Sequence, residues 1–166
     1  IKDTEKSIAV LVIGESARSE NFSLYGYKKN TNPLLSKTKN IYSFNATSCA
    51  TYTTAGIKCI LEHENTSKLY ELLPNYLYRN NVDVIWRTTN WGEPPIHIKN
   101  YLNRYDIEER YEGGDTNYDE ILLSGLKEQI LASESNKILI VLHTTTSHGP
   151  TYNKKYPPLH LHDQLR

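Results

Sequence analysis

The chain has 166 residues, enough for one domain with a sizeable core. Its 19 basic and 19 acidic residues give a formal net charge of +0, so no bulk electrostatic pull draws it toward nucleic acid. The polar opening IKDTEKS is not a signal peptide and no apolar run approaches the ~20 residues that cross a bilayer. The absence of Met, even at position 1, is expected of a piece of a longer chain whose targeting or membrane segments lie elsewhere.

In chain order, IAVLVIG (8–14) is β-branched and apolar and ends in Gly, so it predicts a buried strand. NIYSFNATS (40–48) alternates weakly and predicts a second strand. TTAGIKCILE (53–62) predicts a short helix, weakened by Gly56. SKLYELLPNYLYRN (67–80) spaces Leu69, Leu72, Leu73, Tyr76 and Leu77 as a helix does, with a kink expected at Pro74. VDVIWRT (82–88) predicts a buried strand, YDEILLSGLKEQILAS (118–133) one amphipathic helix, and KILIVLHT (137–144) a further apolar strand. TNWGEPPI (89–96) and YEGGDTN (111–117) read as loops. Three runs apolar on both faces, separated by helices, imply an α/β fold: a mostly parallel sheet with helices on both faces, in a single domain spanning 1–166.

Ligands of open α/β sheets sit beyond the carboxyl ends of strands. Three polar groups occupy such places. Glu15 and Ser16 follow the first strand; a carboxylate there suits a metal, and a helix cap equally. The order G-x-S-x-G fails at Arg18, so this is no nucleophile elbow. Thr51, Thr53 and Thr54 precede a helix start, which suits an anion, a nucleophilic hydroxyl or simple capping; the residues alone do not choose among the three. HTTTSHGP (143–150) holds His148 in a Gly-Pro turn, suited to metal, proton or anion, while His143 at a strand end suits a buried histidine. His63, His97, His160 and His162 show no ligand spacing. The only two cysteines, Cys49 and Cys59, bracket the threonines, either as free thiols or as a closed loop. A carboxylate, a hydroxyl and a histidine in that order are the parts of a metal-assisted phosphoryl-transfer site.

Three segments, VIGESARSENFSLYGYKKNTNPLL (12–35), NATSCATYTTAGIKCIL (45–61) and LHTTTSHGPTYNKKYP (142–157), resemble the bacterial phosphoethanolamine transferases of the alkaline phosphatase/sulfatase superfamily, Campylobacter-type members above all. The resemblance covers about residues 8–158 and implies an alkaline phosphatase/sulfatase-like fold. It implies transfer of phosphoethanolamine from phosphatidylethanolamine to lipid A or another surface acceptor. The setting it implies is the inner membrane of a Gram-negative bacterium, with the catalytic domain in the periplasm and membrane attachment through a domain absent from this chain. It assigns Glu15 and Thr53 as zinc ligands, Thr53 as the nucleophile, His148 to the substrate phosphate, and a disulfide between Cys49 and Cys59. Glu15 and Thr53 are then expected within ~8 Å of each other, the reach of one zinc.

The family's other two zinc ligands lie in a later Asp-His motif, and this chain has no Asp-His pair, so the sequence reads as a C-terminally incomplete domain. His160, His162 and Asp163 are of ligand type but follow the HGP turn too closely to stand where later strands would put ligands. The family's further cysteine pairs are missing, and 87–96 offers no counterpart to a basic residue that some relatives hold near the substrate. The alternatives are an inactive truncated fragment or a sulfatase or phosphoglycerol transferase relative; sulfatases use a modified Cys or Ser as nucleophile, which Thr53 argues against.

Overall fold

The computed structural model describes residues 5–62, 71–112, 114–145 and 147–155. Four strands, β1 (Ser7–Ile13), β2 (Asp83–Thr88), β3 (Asn100–Asn103) and β4 (Lys137–His143), form one parallel sheet in the order β1-β4-β2-β3. The register aligns Ile13 with His143, His143 with Thr88, and Thr88 with Asn103, so all four strands end on one line.

Helices cover both faces, as the apolar runs predict. On one face α1 (Thr53–Leu61) and α2 (Leu73–Arg79) lie over Ile13, Val84, Trp86 and Val141, with Ile57 and Leu61 of α1 buried among them. On the other, α3 (Arg104–Arg110), the 3-10 turn Asp119–Leu123 and α4 (Leu126–Ala132) pack on Ile85, Leu102, Ile138 and Ile140. β2 and β4 are buried along nearly their whole length between these layers, which accounts for the apolar runs at residues 84–86 and 138–142. β1 departs from the expected buried strand: Leu11 and Ile13 meet the α1 face, but Ile8, Val10 and Val12 are 46%, 57% and 62% exposed. Those three are register partners of Ile138, Ile140 and Leu142, so the α4 layer stops short of β1 among the described residues.

Other expectations are corrected. Residues 40–48 form no strand; Tyr42 and Phe44 stay largely exposed, and the weak alternation there has no strand partner among the described residues. Pro74 does not kink a helix but sits in the first turn of α2, where its missing N–H is no loss. Of the expected 67–80 helix, residues 67–70 lie outside the described residues, as do His63, His160, His162 and Asp163. β3 and α3 were not anticipated: NYLN is short and half polar, yet Asn103 then caps α3 in a reciprocal capping box with Asp106.

The single helix expected over 118–133 is broken at Ser124 and Gly125. Gly125 adopts φ +62, and a β-carbon there would run into the Tyr111 ring. The cause lies on β2. Arg87, fully buried, donates to Leu122 O at 3.0 Å, Ser124 O at 2.6 Å and Gln129 Oε1 at 2.8 Å, and its guanidinium lies 5.0 Å from the centre of the Tyr111 ring. The carbonyls that a continuous helix would use internally are turned toward this cation.

Replacing Arg87 by Ala leaves these acceptors buried without a donor. Chemical denaturation of the Arg87→Ala chain is expected to show a loss of at least ~3 kcal/mol, since each orphaned buried group costs ~1–3 kcal/mol.

Candidate functional site

The line of strand ends carries the polar residues. After β1 the chain turns through Gly14 and Glu15 to Ser16, which takes the left-handed conformation at φ 51 and donates its hydroxyl to Glu15 Oε1 at 2.8 Å. Thr53 opens α1; Tyr52 occupies the cap position with no side-chain cap, so the capping reading of Thr51 or Thr53 does not describe this helix. Instead the Thr53 hydroxyl reaches 38 residues back and donates to Glu15 Oε2 at 3.0 Å, well inside the separation one metal ion spans.

Asn90, just past β2, completes the contact by donating from Nδ2 to Glu15 Oε2 and to Thr144 O, both at 3.0 Å. Sequence reasoning passed over it inside a loop; its position two residues beyond a strand end was the available signal. Partial burial pushes the Glu15 carboxyl up, but hydrogen bonds from Ser16, Asn90 and Thr53, with His148 nearby, pull it further down, leaving it below the usual carboxylate range. Glu15, Thr53, Ser48 and His143 help to line a cavity of about 690 Å³.

The loop after β2 presses on the start of α1. Thr54 donates to Gly92 O at 2.8 Å, and a β-carbon on Gly92 would lie 2.8 Å from Thr53 Cβ. Trp91 carries the same loop to His148, with ring centres 5.4 Å apart. His148 is half-buried and donates from Nδ1 to Gly149 O at 2.8 Å, which leaves Nε2 as its other functional atom. Asp119 ties two strand ends together, accepting from the Thr89 hydroxyl and from Thr145 N at 3.1 Å.

Cys49 and Cys59 are joined by a disulfide, with Cα atoms 6.5 Å apart, and both lie at the surface. The bond fastens the segment before Thr53 to the second turn of α1. Thr54 turns its hydroxyl to Gly92 O rather than to Glu15, Thr51 is exposed, and so is His97.

For a metal, the donor set gives a partial fit. Glu15 and Thr53 offer two hard oxygens side by side, as zinc accepts. Among the described residues no group of three His, Cys, Asp or Glu side chains is placed to hold an ion, so these two oxygens supply only part of a tetrahedral shell.

The sequence profile of the sulfatase family matches residues 7–160. The chain belongs to the sulfatase family. Among this family chain's relatives, a phosphoethanolamine transferase EptA of Helicobacter pylori is 42% identical over 91% of the chain and 30% of its own length. An EptA of Escherichia coli is 34% identical over 94% of the chain and 30% of its own length. The chain thus spans less than a third of these curated relatives. The crystal structure of the C-terminal periplasmic domain of phosphoethanolamine transferase EptC from Campylobacter jejuni superposes with a TM-score of 0.72 at 32% identity, covering 92% of this chain and 49% of that one. The soluble domain of lipooligosaccharide phosphoethanolamine transferase A from Neisseria meningitidis gives 0.76 at 26% identity, covering 95% of this chain and 51% of that one. The parallel sheet with helices on both faces is therefore the sulfatase-like fold of these soluble domains.

Closing so short a loop is worth roughly 2–3 kcal/mol by chain entropy. Thiol titration of the denatured, unreduced chain is expected to find no free thiol, and Cys49→Ser/Cys59→Ser is expected to lower unfolding stability by about that amount.

Proposed function

We propose that this chain is catalytic sequence of a phosphoethanolamine transferase that moves the group from phosphatidylethanolamine to lipid A or another surface acceptor, with Thr53 as nucleophile. The observation that carries the reading is the Thr53 hydroxyl, at the start of a helix and on the carboxyl edge of the sheet, bonded to Glu15. The names of the relatives supply the substrate class. The likeness to the Campylobacter periplasmic domain supports a periplasmic placement, with membrane attachment assigned to sequence outside this chain. No helix among the described residues is long and apolar enough to cross a membrane.

In the proposed reaction the Thr53 oxygen attacks the phosphorus of the donor lipid and the bond from phosphorus to the diacylglycerol oxygen breaks. Diacylglycerol leaves with the proton, and phosphoethanolamine stays on Thr53. An acceptor oxygen then attacks the same phosphorus and frees the Thr53 hydroxyl. Glu15 holds the hydroxyl in place before attack, held in turn by Asn90 and Ser16. The first-turn N–H groups of α1 face incoming anionic oxygens with the positive end of the helix dipole. His148, brought to this edge by the turn after β4, is assigned to a phosphate oxygen. A zinc ion held by Glu15 and Thr53, with further ligands from outside the described residues, would supply charge that favours the alkoxide and the phosphorane-like charge distribution.

Thr53→Ala in the intact protein that carries this sequence is expected to lower transfer by orders of magnitude, with Thr51→Ala and Thr54→Ala retaining turnover. Incubation with a labelled donor, followed by peptide mass spectrometry, is expected to place phosphoethanolamine on Thr53. Label on Thr51 or Thr54, or full activity of Thr53→Ala, overturns the assignment.

A further inference from the structure

Beside the Glu15–Thr53 contact, on the same cavity, lies a carboxylate–imidazole pair that the proposed reaction does not use. His143, the last residue of β4, is fully buried, and its Nδ1 lies 2.7 Å from Glu93 Oε1. The Glu93 side chain is itself only 6% exposed. Burial pushes its carboxyl up, but hydrogen bonds from His143 and Thr88, with the imidazole beside it, together pull it further down, below the usual range. An ionised carboxylate only accepts, so Nδ1 carries the proton toward Glu93, and in the neutral ring Nε2 is then the acceptor. Nε2 is buried and has no partner among the described residues, and His143 lines the cavity that Glu15 and Thr53 also line. A buried polar atom without a partner is costly, and a fold carries that penalty where something comes to meet the atom.

The Glu93 end of the pair has its own consequence. Three residues before Glu93 is Asn90, bonded to Glu15; one before is Gly92, packed on Thr53 and accepting from Thr54. Tyr101 of β3 backs Glu93 from the far side, and burial together with that carboxylate pushes its hydroxyl up to about 12. The loop that embraces Thr53 is therefore pinned to the end of β4 through Glu93 and His143.

The geometry points to Glu93–His143 as a positioning couple of the transferase site: Glu93 fixes the His143 tautomer and anchors the 90–92 loop, and Nε2 accepts a hydrogen bond from a donor held on the floor of the Thr53 cavity, a water molecule being the simplest. This rests on the transferase reading for its effect on rate, though not for its structural content. A purely architectural role is the competitor. Trp86 stands edge-on to His143, ring centres 6.3 Å apart, and its Nε1 is also buried without a partner, so a water shared by these two rings alone would satisfy Nε2 with no link to the cavity.

Two substitutions separate the roles. Asn at 143 keeps an amide N–H where Nδ1 stands, preserving the anchor, and removes the Nε2 acceptor. Gln at 93 keeps a hydrogen-bonding group but loses the charge that fixes the tautomer. On the 166-residue chain labelled with 15N-histidine, at neutral pH, His143 is expected to show protonated Nδ1 and bare Nε2, and Glu93→Gln to give a mixture of tautomers. A protonated Nε2 in the unaltered chain, or ring shifts unmoved by Glu93→Gln, overturns the couple. In the intact protein, His143→Asn is expected to lower the rate of Thr53 labelling roughly 10–100-fold, the usual effect of losing a group that orients a reacting one, with the donor KM little changed. Labelling at the unaltered rate shows the architectural role and overturns the proposal. If the unaltered protein never labels Thr53, the transferase reading fails, and the nitrogen spectrum then decides the couple by itself.

Discussion

Parallel pairing obliges strands to finish on the same side of a sheet, and here the register makes that side a line: Ile13, His143, Thr88 and Asn103 are successive partners. Every polar group of the candidate site lies within a few residues of this line or is brought to it. Glu15 comes two residues after Ile13, Asn90 two after Thr88, and His148 five after His143. Thr53 is the exception, delivered by a helix whose buried residues Ile57 and Leu61 dock on the sheet. Apolar burial on one side of α1 thus sets where a hydroxyl on its first turn stands.

The site is held by polar contacts over an apolar base. Glu15 accepts from three side chains contributed by three separate stretches of chain, and the disulfide fastens the approach to α1 from outside. None of these contacts alone carries more than a few kcal/mol, but they act on atoms already placed by the ladder beneath them. For the proposed phosphoryl transfer, where placement of the attacking oxygen accounts for much of the rate, such a frame is the useful part of the structure.

The apolar strands were legible because burial on both faces leaves a continuous signature, as in VDVIWRT and KILIVLHT. α1 was legible despite Gly56, since its apolar face recurs at helical spacing. β3 escaped because NYLN is four residues long with Asn at both ends, and the break at Gly125 because its cause, Arg87, lies 38 positions earlier on another element. The half-covered state of β1 is likewise a tertiary fact: Val10 and Val12 look as buried in sequence as Ile140 and Leu142 do. In the site, Glu15 and Thr53 were visible as residue types at plausible places and are found in contact, whereas Asn90 and Glu93 looked like ordinary loop residues. Their partners, Glu15 and His143, are 75 and 50 residues away, and only the fold brings them together.

The proposed zinc role would make Glu15 Oε2 and Thr53 Oγ1, which share a hydrogen bond, two ligands of one ion. Diffraction from crystals of the intact protein, collected on either side of the zinc absorption edge, tests this most directly. One anomalous peak about 2 Å from both oxygens, in place of the proton between them, is the expected result. Zinc bound elsewhere, with the Thr53–Glu15 hydrogen bond unbroken at saturating metal, would contradict it.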